Sequence, residues 1–124
     1  MGYSQLRSKF WNSIIEQNTQ VISVTGGSSE TVYIQADSNE TWLIFLDVTF
    51  KGSLADANDD NELEVKTYGA TSQSVVTKRY AKSHSPSISV IAIITDTNKI
   101  QITAKNNGSN TGSLHVCYSG FKVD

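Results

Sequence analysis

Thr41-Trp-Leu-Ile-Phe-Leu-Asp-Val-Thr-Phe-Lys51 decides the fold class. Read with the two-residue period of a strand, Trp42, Ile44, Leu46, Val48 and Phe50 share one face. Aromatic and β-branched side chains of this kind suit a pleated, half-buried surface. The opposite face is not polar, because it carries Leu43 and Phe45. Ser87–Thr95 repeats the arrangement: Ile88, Val90, Ala92 and Ile94 lie on one face, Ile91 and Ile93 on the other. A strand with one face in water alternates cleanly between apolar and polar residues. These two strands need covering on both faces, by a helix of the same chain or by another subunit. Leu43, Phe45, Ile91 and Ile93 are therefore the candidate oligomer interface.

Outward from these two stretches the period of two persists. It predicts strands near Val21–Thr25, Thr31–Ala36, Thr41–Lys51, Glu62–Tyr68, Ser74–Ala81, Ser87–Thr95, Lys99–Lys105 and Gly112–Val123. Runs of Gly, Asn, Asp and Ser separate them. Asp96-Thr97-Asn98 reads as a tight hairpin loop, and Asn107-Gly108 is also a hairpin signal. About eight short, regularly spaced strands predict an all-β fold: a jelly roll or other β-sandwich, or a barrel.

The first residues follow a different period. Leu6, Phe10 and Ile14 recur every four positions, with Trp11 and Ile15 beside them. Gln5, Arg7, Ser8, Lys9, Asn12 and Ser13 fill the other side, and Ser4 can act as an N-cap. This predicts a short amphipathic helix ending near Asn18, where Thr19, Val21 and Ile22 favour extended backbone. The chain thus divides into residues 1–19, a helix or anchor, and residues 20–124, the β-domain. A helix this short is marginal alone and must pack on the core or on a partner.

Composition narrows the functional classes. The 124 residues suit one domain, and hydrophobic residues make up 38%, below the usual globular share, which favours short strands joined by polar turns. With 10 basic and 12 acidic residues there is no basic surplus for a nucleic acid. The single cysteine, Cys117, rules out an internal disulfide. No apolar run is long enough for a transmembrane helix, and residues 1–18 lack a signal-peptide core, so synthesis in a cytoplasm is expected.

Candidate chemistry is sparse. Asp56, Asn58 and Asp60 place oxygen ligands at alternate positions, as a calcium loop does. Asn61 stands where an EF-hand has glycine and Thr67 where it has its bidentate glutamate, so a solvated acidic turn is favoured. Otherwise no cofactor is expected. His115 and Cys117 are neighbours on one strand face, but two ligands make no zinc site. His84 precedes Pro86 in a loop and is expected to be exposed. Phosphate-cradling glycine patterns are missing. Tyr33, Tyr68 and Tyr80 lie in strands and offer possible glycan contacts, with Asn, Asp and Gln nearby.

One resemblance bears on the whole. Ile88–Thr95, Asp96-Thr-Asn98, Lys99–Lys105, Asn106-Asn-Gly108 and Leu114-His-Val-Cys-Tyr-Ser-Gly-Phe121 together resemble the closing strands of jelly-roll domains in phage and virus appendages, of tail-fibre-tip or capsid-decoration type. Tyr118-Ser-Gly-Phe121 is also similar to the last strand of C1q/TNF-like trimeric jelly rolls. The resemblance implies a homotrimer packed along an apolar seam, with function on exposed loops. The expectation is a non-enzymatic virion surface protein, made in the host cytoplasm and acting through self-association, contacts with other virion proteins and contacts with a cell-surface glycan. The alternative is a cellular carbohydrate-binding module or lectin working outside the cell.

Overall fold

Period-two patterning becomes eight strands in the computed structural model of the chain, which describes residues 14–68 and 75–123. They are β1 (Ile14–Val24), β2 (Ser29–Gln35), β3 (Thr41–Lys51), β4 (Asn61–Tyr68), β5 (Val75–Ser83), β6 (Ser87–Thr95), β7 (Lys99–Lys105) and β8 (Gly112–Val123). One turn of 3-10 helix, Leu54–Asp56, follows β3, and the Ser53 hydroxyl caps it by accepting from the Ala55 N–H at 3.3 Å. The strands form two antiparallel sheets of four, ordered β1-β8-β3-β6 and β2-β7-β4-β5.

The alternation in each strand explains why the sheets stack. Trp42, Ile44, Leu46, Val48 and Phe50 of β3 are all buried, as are Ile88, Val90 and Ile94 of β6 and Leu114 and Val116 of β8. From the other sheet come Ile34, Leu63, Val65, Ile100, Ile102 and Ala104. These inner faces meet in a single apolar core, the usual interior of a sandwich. Left-handed backbone falls where turn residues can adopt it, at Gly27 (φ 78°) and Asn39 (φ 62°). Asn39 closes a turn in which the Glu40 N–H donates to the Asp37 carbonyl.

Two expectations are corrected. Ile14 and Ile15, assigned to an amphipathic helix with Leu6, Phe10 and Trp11, belong to β1, where they lie opposite Phe121 and Gly120. Their backbone hydrogen-bonding capacity is used by the edge of β8, and cross-strand pairing overrides the four-residue spacing. Leu6, Phe10 and Trp11 lie outside the described residues. The 96–98 and 106–111 loops are not hairpins: β6 and β8 belong to one sheet and β7 to the other, so both loops cross between sheets. Asn107-Gly108 is instead held by loop contacts that span the end of the sandwich.

Candidate functional site

The outer face of the β1-β8-β3-β6 sheet is apolar where a solvated sheet would be polar. Leu43 of β3 lies opposite Ile93 of β6 on one side and Phe121 of β8 on the other. In the next row Phe45 lies between Ile91 and Ser119. Phe45 meets Phe121 edge to face, with ring centroids 6.3 Å apart. Phe45 is 40%, Ile93 54% and Ile91 68% exposed, and Leu43 is half-buried. The patch stops at a polar row, where the Ser89 hydroxyl donates to Asp47 at 2.5 Å. A groove of about 460 Å³ continues round the β6 edge, lined by Leu43, Ile91, Ala92 and Ile93 and by Tyr68 and Val76 of the other sheet. The four residues singled out from sequence thus form one surface, and Phe121 completes it. The sequence reading placed Phe121 in the last strand but did not assign it to this face, which depends on β8 pairing with β3.

The outer face of the β2-β7-β4-β5 sheet has the opposite character. Ser29, Thr31 and Tyr33 of β2 share it with Gln101, Thr103 and Lys105 of β7, with Glu62, Glu64, Lys66 and Tyr68 of β4, and with Lys78 and Tyr80 of β5. Tyr33, Tyr68 and Tyr80 are therefore on one face, although not in contact. Lys99 sits over the Tyr33 ring at 4.3 Å, Tyr68 donates to Gln101 at 3.3 Å, and Tyr80 donates to Glu62 at 2.6 Å. Asn107 and Tyr80 donate to Glu62 and hold its carboxyl below the usual range, and the same Glu62 bond raises the Tyr80 phenol. A depression of about 180 Å³ opens beside Tyr80, Thr103 and Lys105.

The acidic loop is a structural joint. Asp56 turns inward and accepts from the Asn110 N–H at 2.9 Å and from the Asn110 side chain at 3.1 Å. These bonds, the backbone one foremost, hold its carboxyl below the usual range. Gly108 must be glycine here, because a Cβ would come within 2.5 Å of the Asp56 carboxylate. Buried Asn61 donates to the His84 carbonyl at 2.8 Å and accepts from the Asn107 N–H at 2.9 Å. Asn107 in turn donates to the Asp60 carbonyl at 2.8 Å. Asn58 and Asp60 are exposed, and their side chains do not join Asp56 in a ligand set. Among the described residues, no three His, Cys, Asp or Glu side chains gather closely enough to hold a metal ion. His84, expected in solvent, is half-buried with both ring nitrogens enclosed and unbonded. Cys117 accepts from the Thr19 hydroxyl at 3.6 Å, on the same outer face as His115. No helix of the described residues is long and apolar enough to cross a membrane.

No family model matches the chain, and no curated protein matches it. Its fold is similar to several solved structures. The Yersinia pseudotuberculosis-derived mitogen aligns over 84% of this chain and 85% of its own, with 12% identity and a TM-score of 0.55. Desmodium yellow mottle tymovirus aligns over 87% of each chain, with 11% identity and a TM-score of 0.45. The Drosophila NLP core aligns over 88% of this chain and 100% of its own, with 18% identity and a TM-score of 0.44. At 12% identity the likeness to the mitogen is one of fold alone: the chain is an antiparallel β-sandwich.

Proposed function

We propose that this chain is a non-enzymatic structural or surface protein of a virion, working through self-association and surface binding. The observation that carries the self-association is the apolar patch in which Phe45, Ile91 and Ile93 are exposed, with half-buried Leu43 in the same rows. A contiguous exposed apolar patch marks a contact surface. The strand order supports reading the sandwich as a jelly roll, with four strands in each sheet and every connection except β4 to β5 crossing between them. The closing strands from Ile88 to Phe121, which resemble those of virus appendages, support the virion assignment.

Light scattering tests the self-association. At tens of micromolar the chain is expected to be oligomeric, and Phe45→Glu with Ile93→Glu to be monomeric with an unchanged circular dichroism spectrum. A wild-type monomer overturns the reading. Mass spectrometry of purified particles tests the virion assignment. Many copies per particle are expected, and absence from particles sinks that part while leaving self-association intact.

A second reading has its own observation. Tyr33, Tyr68 and Tyr80 share the exposed polar face of the other sheet, and hydrogen bonding fixes the Tyr80 ring beside a depression. This favours glycan contact through stacking on tyrosine, on the face left open when the apolar face is used. A glycan array tests it: binding lost in Tyr80→Ala supports it, and no retained sugar counts against it.

A further inference from the structure

The two sheets have four edge strands: β1 and β6 in one, β2 and β5 in the other. Exposed edges present unpaired N–H and C=O groups, and proteins that stay apart blunt them with charge, bulges or proline. β5 carries Lys78, Arg79 and Lys82 and a register break opposite Thr67 and Tyr68. β1 has a register break between Ile15 and Asn18, and β2 is short and carries Glu30. β6, Ser-Ile-Ser-Val-Ile-Ala-Ile-Ile-Thr, runs nine residues with no charge, no proline and no break in register. It is the unguarded edge, and the exposed side chains of Ile91 and Ile93 lie on it.

The backbone geometry identifies which groups are open. The Phe50 N–H donates to the Pro86 carbonyl at 3.0 Å, one step beyond the Thr49–Ser87 pair. Hydrogen-bonded and non-hydrogen-bonded pairs alternate along an antiparallel ladder. The even-numbered residues of β6 therefore bond to β3. Ser89, Ile91 and Ile93 direct their N–H and C=O groups away from it, and among the described residues no strand pairs there.

We propose that β6 pairs antiparallel with β6 of a second copy about a twofold axis, joining two four-stranded sheets into one. The register follows from the side chains. With Ala92 on the axis, Ile91 lies opposite the partner's Ile93, an arrangement that lets the outward backbone groups bond. The outer face then carries two continuous apolar rows, each reading Phe45, Ile91, the partner's Ile93 and the partner's Leu43. An axis at Ile91 would instead set Ile93 opposite the partner's Ser89, and Leu43 in line with the partner's Asp47. This inference rests on the self-association reading and specifies its contact. It differs from the trimer implied by the C-terminal resemblance, because a twofold edge contact builds even-numbered assemblies.

The test is a cross-link with a mass measurement. Residues opposite each other in a non-hydrogen-bonded pair have Cα atoms about 4.5 Å apart, within disulfide range. Ala92→Cys in a Cys117→Ser background is expected to give a covalent dimer in high yield under mild oxidation. The unmodified chain is expected to have a native mass of two or a multiple of two copies. Ile91→Pro removes an outward N–H without touching the β3 ladder, and is expected to raise the dissociation constant at least tenfold. An assembled chain that yields no Ala92→Cys dimer, or a strict trimer, overturns the edge contact and leaves self-association standing. A strict monomer overturns both. If Ile91→Pro does not fold, the cross-link and the native mass still decide.

Discussion

Individual residues do one of two jobs here, filling the core or joining loops. Leu63 is fully buried between the sheets, and Leu63→Ala is expected to cost about 2–5 kcal/mol of unfolding free energy by chemical denaturation. Asp56 and Glu62 act through charge. Both carboxyls sit below their ordinary range because amide groups of the 106–110 loop donate to them. A carboxyl depressed on folding contributes stability that is fully present above its unfolded pKa, about 4. That stability is lost as the pH falls through the lower folded value. The melting temperature is therefore expected to be level near neutrality and to fall below about pH 4. Asp56→Asn should lower the plateau and flatten the acid limb. An identical acid limb in that variant would show that Asp56 contributes no linkage. None of this was legible from the sequence, where Asp56 reads as part of a solvated acidic turn, with a calcium loop as the less favoured alternative. Its partner Asn110 lies fifty-four positions away and reads as turn filler.

Strands were legible where alternation and turn chemistry agreed. β3, β6, β7 and β8 have the bounds that the pattern predicts, because polar runs close both ends of each. β1 was misread at its start: Ile14 falls on the same helical stripe as Leu6 and Phe10, and no local signal reports that β8 is waiting to pair with it. Pairing partners were also hidden. Short polar loops suggested hairpins, whereas loop length alone does not say whether the next strand joins the same sheet. The strand assignment makes a truncation informative. Removal of residues 1–13 leaves the eight strands and the buried residues described above, so the remainder is expected to fold with a similar denaturation midpoint. Removal of residues 1–18 takes the paired start of β1 and is expected to lower it. A chain unfolded by the shorter deletion would show that residues 1–13 belong to the core.

At the scale of the molecule, the sandwich has two unlike outer faces. One is polar and carries tyrosines whose surroundings are fixed by hydrogen bonds and by Glu64 ion pairs to Lys66 and Lys78. Ion pairs at such a surface contribute little stability. The other is apolar across three strands and ends at an unguarded edge. The surplus of apolar residues on β3 and β6 was visible in the sequence as a count, but their meeting on one face depends on β3 pairing with β6. The order of the sheet has a further consequence, for synthesis. β8 lies in the middle of its sheet, between β1 and β3, yet it is the last of the eight strands to leave the ribosome. Until it emerges, β1 has no neighbour and β3 lacks one side, so the doubly apolar β3 and β6 wait in the nascent chain. Non-local pairing of this kind is slow and exposes strand edges to aggregation. Completion of the sheet is thereby tied to completion of the strand that ends at Val123.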